Sequence, residues 1–119
     1  MPDPSDEPFE IVVVGSANLD IVVPVPHHPR PGETVLGGDH RQVPGGKGAN
    51  QATAAARLGR RVAFVGCVGD DPAGEVLLAS LRSAGVNIDA VTIIDEAPSG
   101  IATISVSAEG ENAIVVSPG

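Results

Sequence analysis

Continuous apolar runs alternate with alanine- and leucine-rich segments, and this alternation constrains the fold more than any other feature. The runs IVVV at 11–14 and RVAFVGCVG at 61–69 lack polar alternation, which predicts strands covered on both faces, as in a parallel sheet. The segments at 49–58 and 70–86 are rich in helix formers. The order strand, helix, strand, helix predicts parallel α/β layers.

The helix boundaries carry recognisable end signals. Gly59 stands where the residue after a helix C-terminus belongs, and Gly85 ends the second helix in the same way. Asp71 is placed to cap the second helix, with Pro72 at its first position and Glu75 in its first turn. Both helices therefore have predicted ends as well as predicted interiors.

Strands outside the alternation form a second group. They are expected at 21–25, 33–43, 100–107 and 112–117, whereas a strand at 90–95 continues the alternation after the second helix. Pro24 and Pro26 remove ladder donors, which favours an edge strand or a protruding flap for the first of them. The last two flank the polar turn AEGEN and form a hairpin. The protruding strands and the hairpin could pair with each other as a small separate sheet.

Composition and charge exclude several classes of function. The 119 residues carry a net charge of −8, which argues against non-specific nucleic-acid binding. No apolar run approaches the roughly 20 residues of a membrane helix, so no membrane contact is expected. Residues 1–9 are acidic and proline-rich and are predicted to form a disordered tail rather than a signal peptide. The single Cys67 fits a reducing cytoplasm and is expected in the buried strand.

The helices are too few for the predicted sheet. An open α/β sheet with two long helices leaves at least one face thinly covered. We therefore expect residues 10–119 to be the front part of a larger α/β fold, or a truncated product.

The loop VPGGKGANQA at 43–52 is a candidate ligand site. It lacks the upstream glycine and the Ser or Thr of a nucleotide-binding P-loop, and it also fails the dinucleotide fingerprint. Paired glycines Gly45 and Gly46 let a ligand approach the backbone. Helix-start N–H groups, Lys47 and Asn50 suit a polyhydroxylated ligand as well as an anion. The alternative is that these glycines serve only to turn the chain.

A second candidate follows the first strand. Asn18 and Asp20 lie two residues apart, so in extended chain they point the same way. Ligands of open α/β sheets bind beyond the carboxyl ends of strands, where a carboxylate and an amide can hold hydroxyl groups. The alternative is an Asx turn that closes the strand. His27, His28 and the pair Asp70–Asp71 are weaker candidates for metal binding and for carboxylate chemistry.

Taken together, these segments resemble the PfkB-type family of carbohydrate kinases, in particular the members that phosphorylate ribose. The resemblance runs in the family's order over almost all of residues 10–119. It is carried by GSANLDIVVPV, HPRPGETV, GGKGANQATAAARLG, VAFVGCVGDDPAGE and SGIATISVSAEGENAIVVSPG.

The resemblance implies a Rossmann-like parallel sheet with helices and a small protruding β-sheet lid, built from residues near 21–43 and 100–116. It implies transfer of the ATP γ-phosphoryl group to the 5-hydroxyl of D-ribose, with Mg²⁺ and a monovalent cation, usually K⁺. It also implies a homodimer joined through the lid. The implied sugar contacts are Asn18, Asp20, Gly45, Gly46, Lys47, Asn50, Ala102, Ile104 and Val116.

The resemblance also has a gap. The family's catalytic aspartate, its GAGD anion hole and its nucleotide pocket match no residue in this sequence. It therefore implies a sugar-binding part that is inactive alone. The alternatives are another PfkB-type kinase, acting on a sugar, a sugar phosphate or a nucleoside, and a non-catalytic module for sugar binding or dimerisation.

Overall fold

A computed structural model describes residues 8–119, so most of the tail expected at 1–9 lies outside the described part. The described residues form two helices and a set of strands, and the strands are arranged in three small sheets. The elements are β1 (Ile11–Val14), β2 (Asn18–Pro24), β3 (Arg41–Gly45), α1 (Lys47–Arg57), β4 (Val62–Val65), β5 (Cys67–Gly69), α2 (Pro72–Ser83), β6 (Thr92–Ile94), β7 (Gly100–Val106) and β8 (Asn112–Ser117).

The α/β body consists of parallel strands with helices packed on them. β1 pairs with β4 and β5 pairs with β6, both in parallel. Phe64 from β4 and Leu77 from α2 are almost completely buried where strands and helices meet. The predicted class, parallel α/β layers with a separate protruding sheet, is confirmed.

The first strand is covered on one face only. Ile11 and Val13 pack against the core, whereas Val12 and Val14 are 57% and 77% exposed. Alternate side chains of a strand point to opposite faces, and within residues 8–119 the helices cover only one of them. The prediction of cover on both faces is therefore wrong for this strand, and the predicted thin cover is confirmed.

The apolar run at 61–69 forms two strands instead of one. Gly66 separates them at a tight point, where an added Cβ would lie 2.7 Å from the carbonyl oxygen of Gly15. Beyond it, β5 pairs with β6 and leaves β1. Strand alternation turns Val68 into the core and Cys67 outward, so the expected burial of Cys67 is wrong.

The protruding strands form one four-stranded sheet in the order β3-β2-β7-β8. β2 and β7 run parallel, and the two outer pairs are antiparallel. This confirms the predicted separate sheet, but β2 is an interior strand rather than an edge. Pro24 is tolerated because it is the last residue of β2, and the ladder continues with the Val25 N–H on the carbonyl of Val106.

Two strand boundaries differ from the prediction. β2 begins at Asn18, three residues before the expected start. Of the strand expected at 33–43, only the part from Arg41 forms, and it runs on to Gly45. The chain at 33–40 instead folds back on β2, where Gly38 donates to the carbonyl of Pro24.

The helices end as the sequence predicts. Gly59 and Gly85 follow α1 and α2 with φ of 89° and 92°. The Asp71 side chain caps α2 by accepting from the N–H of Gly74. α1 starts at Lys47, two residues earlier than expected. Neither described helix has the length and apolar composition needed to span a membrane.

Candidate functional site

One face of the four-stranded sheet collects most of the predicted site. The register pairs Asp20 with Ala102, and Ala102 with Val116. Paired residues of neighbouring strands share a face, and every second residue along a strand returns to it. We call this surface the Asp20 face. It carries the predicted residues Asn18, Asp20, Gly45, Ala102, Ile104 and Val116.

Asn18 and Asp20 belong to a regular strand. Both lie in the ladder of β2, paired with Gly100 and Ala102 of β7. An Asx turn at this point is therefore wrong, because the backbone here is extended and paired on both sides. The prediction that the two side chains point to the same side is confirmed by the register.

The Asp20 carboxylate lies over the backbone of Gly45. A Cβ at Gly45 would stand 2.6 Å from Oδ2 of Asp20 and 2.9 Å from its Cγ. Asp20 is partly buried, and its side chain makes no hydrogen bond or ion pair with any described residue. The carboxylate therefore keeps its full capacity to accept hydrogen bonds from a ligand.

The Asn18 side chain lies toward β7, the neighbour of β2 on the other side from Gly45. The buried Gly100 provides the space, since a Cβ there would collide with the Asn18 amide oxygen. Gly100 was not predicted as a site residue. A glycine at the first position of an interior strand was the available signal, since it marks a close approach of another group.

Gly46 has a structural reason to be glycine. Its φ is 97°, and an added Cβ would stand 2.5 Å from the carbonyl oxygen of Ser16. An added Cβ at Gly48 would stand 2.8 Å from the Cα of Gly15. Gly46 and Gly48 therefore seat the start of α1 against the β1–β2 connection, while Gly45 borders Asp20.

Lys47 and Asn50 lie off the Asp20 face. Both are exposed in the first turn of α1, where the N–H of Ala49 is bonded to the carbonyl of Ser16. Asn50 lines a cavity of about 200 Å³ between α1, α2 and Gly45. No hydrogen bond joins Lys47 or Asn50 to Asp20 in the described residues.

A second cavity lies beside Asn18. It has a volume of about 170 Å³ and opens beyond the carboxyl ends of β1, β5 and β6. Asn18, Gly100 and the exposed Cys67 contribute to its lining. This is the position where ligands of open α/β sheets bind.

The weaker candidates have structural partners. His27 pairs with Glu33, and Nδ1 of His28 lies 2.8 Å from the Ser105 hydroxyl. Asp71 caps α2, which removes the carboxylate pair with Asp70 from consideration. Within residues 8–119, no group of three or more His, Cys, Asp and Glu side chains could hold a metal ion.

The Asp20 face can bind hydroxyl groups. Its polar part combines an acceptor-only carboxylate with an amide that donates and accepts. Beside them lie the buried Ala102 and the partly buried Ile104, which suit the apolar carbon skeleton of a small ligand. Arg41 pairs with Val22, two residues along β2 from Asp20, and brings a positive charge to this face. The direct cross-strand neighbours of Asp20 are the apolar Val43 and Ala102, so beside the Asp20 carboxylate a neutral polyol fits better than an anion.

Comparison with known proteins extends this picture. The chain is 51% identical over 109 residues to the ribokinase of Bacillus subtilis. The matched region covers 92% of this chain and 37% of that protein. The ribokinase of Haemophilus influenzae is 40% identical, over 92% of this chain and 36% of that protein. The chain thus spans little more than a third of the length of these relatives.

Solved structures agree in fold. The Arabidopsis thaliana ribokinase complexed with ribose and ATP has a TM-score of 0.86 at 36% identity, over 93% of this chain and 36% of that one. The Cryptococcus neoformans ribokinase in complex with ADP has a TM-score of 0.81 at 42% identity, over 92% and 35%.

The family model for pfkB family carbohydrate kinases matches residues 9–119. This range contains every element of the described fold and every residue of the Asp20 face. The chain therefore belongs to the pfkB family of carbohydrate kinases.

Proposed function

We propose that this chain forms the sugar-binding part of a ribokinase, which transfers the γ-phosphoryl group of ATP to the 5-hydroxyl of D-ribose. Two kinds of evidence support the proposal. The similar proteins of B. subtilis and H. influenzae are ribokinases, and the similar A. thaliana structure is complexed with ribose and ATP. The Asp20 face independently favours a neutral polyol.

The free carboxylate of Asp20 carries the proposal. A partly buried carboxylate without an internal partner is costly unless a ligand supplies donors. Neighbouring ring hydroxyls of ribose supply two donors at the spacing of one carboxylate. Asn18, on the same side of β2, would hold a further hydroxyl.

Lys47 and Asn50 would add contacts to the sugar from α1. Because they lie off the Asp20 face, the proposal includes a closing movement of the four-stranded sheet, which would act as a lid near residues 21–43 and 100–116. Gly45 and Gly46 join the sheet to α1 and would form the hinge. Closure would bring Ala102, Ile104 and Val116 against the sugar and exclude water, which protects ATP from hydrolysis.

ATP, Mg²⁺ and K⁺ belong to the proposal at the level of the whole enzyme. Phosphoryl transfer depends on positioning and on neutralising charge, and Mg²⁺ with K⁺ would supply positive charge. We assign no described residue to these groups, because the loop at 43–52 does not match a P-loop and the described side chains form no metal cluster. No described residue is assigned as the catalytic base.

Two further parts of the proposal concern assembly and location. The outer strand β8 exposes Ile114, Val115 and Val116, each by more than half, and such a strip favours contact with a second copy. We include a homodimer through the sheet and a cytoplasmic location, which the single Cys67 favours.

Calorimetry with a ligand panel tests the assignment. We expect D-ribose to bind the purified chain, and 2-deoxyribose, fructose 6-phosphate and adenosine to bind at least tenfold more weakly, about 1.4 kcal/mol. Tighter binding of a sugar phosphate or a nucleoside would transfer the assignment to another pfkB-type kinase. Absence of heat with every compound would favour a non-catalytic module. We also expect no ADP production from ribose and ATP by the 119-residue chain.

A further inference from the structure

Three chain segments meet at the Asp71 side chain. Oδ1 accepts from the Gly74 N–H at 2.8 Å and from the Ser99 hydroxyl at 2.6 Å. Oδ2 accepts from the Ser99 N–H at 2.8 Å. The Ser99 hydroxyl in turn accepts from the Gly69 N–H at 2.9 Å. We call these four hydrogen bonds the Asp71–Ser99 cluster.

The cluster contains more hydrogen bonds than a helix cap needs. One bond, to Gly74, caps α2. The other three tie the chain at Ser99 to the end of β5 and to the start of α2, and Ser99 is only 4% exposed. Charge-assisted hydrogen bonds are roughly twice as strong as neutral ones, so Ser99 is held firmly. The same contacts lower the pKa of the Asp71 carboxyl, with the Ser99 hydroxyl as the largest cause.

Ser99 stands next to the candidate sugar site. The following residue, Gly100, is the first of β7 and pairs with Asn18. The Asn18 amide also occupies the space that a Cβ on Gly100 would need. A shift of the Ser99 backbone would therefore displace Gly100, and Gly100 would displace the amide that faces the ligand.

The cluster is also a junction between the two parts of the fold. Gly69 and Asp71 belong to the α/β body, whereas Gly100 begins an interior strand of the four-stranded sheet. A sheet that moves as a lid needs a fixed point where β7 leaves the body. The Asp71–Ser99 cluster is the polar contact at that point.

We propose that Asp71 is a positioning residue for sugar recognition, which acts through Ser99 and Gly100 to fix the Asn18 amide. The inference rests on the proposed sugar-binding function. Asp71 itself touches no part of the Asp20 face, so its effect on binding must pass through the backbone at 99–100.

Ribose titration of variants tests this role. Asp71→Asn and Ser99→Ala should each weaken ribose binding roughly tenfold, because each leaves a hydrogen-bond partner unsatisfied and frees the Ser99 backbone. Ser99→Thr keeps the hydroxyl and should bind within about twofold of wild type. Ser83→Ala is the matched control, since the Ser83 hydroxyl bonds only within α2, and it should also leave binding unchanged.

A merely structural role would give a different result. It predicts a lower melting temperature for Asp71→Asn and Ser99→Ala, with unchanged ribose affinity at temperatures where both are folded, and that outcome would overturn the inference alone. If the wild-type chain itself fails to bind ribose, the proposed function and this inference fall together.

The wild-type chain provides a second readout if Asp71→Asn does not fold. Coupling between two sites is reciprocal. Ribose should therefore slow amide hydrogen exchange at Ser99 and Gly69, whose N–H groups the cluster holds, while Gly110 in the distant turn should not change. Unaltered exchange at Ser99 and Gly69 in saturated protein would contradict the proposal.

Discussion

The Asp20 carboxylate rests on the bare backbone of Gly45, on the neighbouring strand. A Cβ at Gly45 would come within 2.6 Å of Oδ2, so the side-chain position of Asp20 depends on the absence of a side chain at residue 45. This relationship links the glycine loop to the acidic residue of β2. It makes Gly45 part of the proposed sugar site without requiring a direct bond to the ligand.

Replacement of Gly45 tests this link. Gly45→Ala should move the Asp20 carboxylate and weaken D-ribose binding by roughly tenfold, because the carboxylate leaves the position that the ring hydroxyls need. Calorimetry at a temperature where the variant is folded measures the effect.

A double-mutant cycle supplies the control. In an Asp20→Ala background no carboxylate remains to collide with residue 45, so adding Gly45→Ala should change the residual affinity little. Equal losses from Gly45→Ala in both backgrounds would show that Gly45 acts independently of Asp20.

Alanine substitutions at Gly46 and Gly59 distinguish the cost of backbone strain from the cost of a steric collision. Both glycines have positive φ, of 97° and 89°, but a Cβ at Gly46 would meet the Ser16 carbonyl, whereas nothing lies within 4 Å at Gly59. Gly59→Ala should cost about 1 kcal/mol of unfolding free energy from strain alone. Gly46→Ala should cost at least about 2–3 kcal/mol. Urea unfolding measures both, and equal values would refute the close approach at Ser16.

The pH dependence of stability should report on Asp71. Its contacts with Ser99 and Gly74 hold the pKa of the carboxyl below its ordinary value of 3.8. A lowered folded-state pKa gives stability that is fully present above the unfolded pKa and is lost as pH falls through the folded pKa. The difference in unfolding free energy between wild type and Asp71→Asn should therefore be constant above about pH 5 and shrink below pH 4.

Asp95→Asn is the control for that titration. Asp95 is exposed in the turn after β6 and makes none of the four hydrogen bonds of the Asp71–Ser99 cluster, so this replacement removes a carboxylate while leaving the cluster intact. A wild-type advantage over Asp71→Asn that persists undiminished below the folded pKa would show that the carboxylate charge does not stabilise the cluster.

Self-association through β8 is a further expectation. Val115 is 68% exposed and faces away from the Asp20 face, so Val115→Lys should shift a dimer toward monomer while leaving ribose binding unchanged. Ile93→Lys, at a comparably exposed apolar position on β6, should leave the dimer intact. Sedimentation velocity distinguishes these outcomes. Dissociation by Ile93→Lys alone would place the interface elsewhere.

The sequence predicts most elements because their signals are local. Helix ends at Gly59, Asp71 and Gly85 follow from capping chemistry that needs no tertiary information. The hairpin at 100–117 follows equally from alternation and a glycine turn. Long-range pairing is what local signals do not determine. The interior position of β2 depends on β7, some 80 residues further along.

The candidate site was predictable in its residues more than in its geometry. The carboxylate, the amide and the glycine loop were found from residue type, and the register brings Asn18, Asp20 and Gly45 together. Gly100 was missed because its role depends on the side chain of Asn18 across a parallel ladder. The exposure of Cys67 was missed because β5 leaves the first sheet at Gly66, a tertiary event.

Ribose binding by wild type and Asp20→Asn tests the central claim most directly. Asparagine keeps the shape of the side chain but replaces an acceptor-only carboxylate with an amide, while the exposed Asp39→Asn serves as a charge-matched control. We predict that wild type and Asp39→Asn bind D-ribose equally and that Asp20→Asn loses at least about 2 kcal/mol of binding free energy, roughly thirtyfold. Equal binding by all three proteins would contradict the assignment of the Asp20 face as the sugar site.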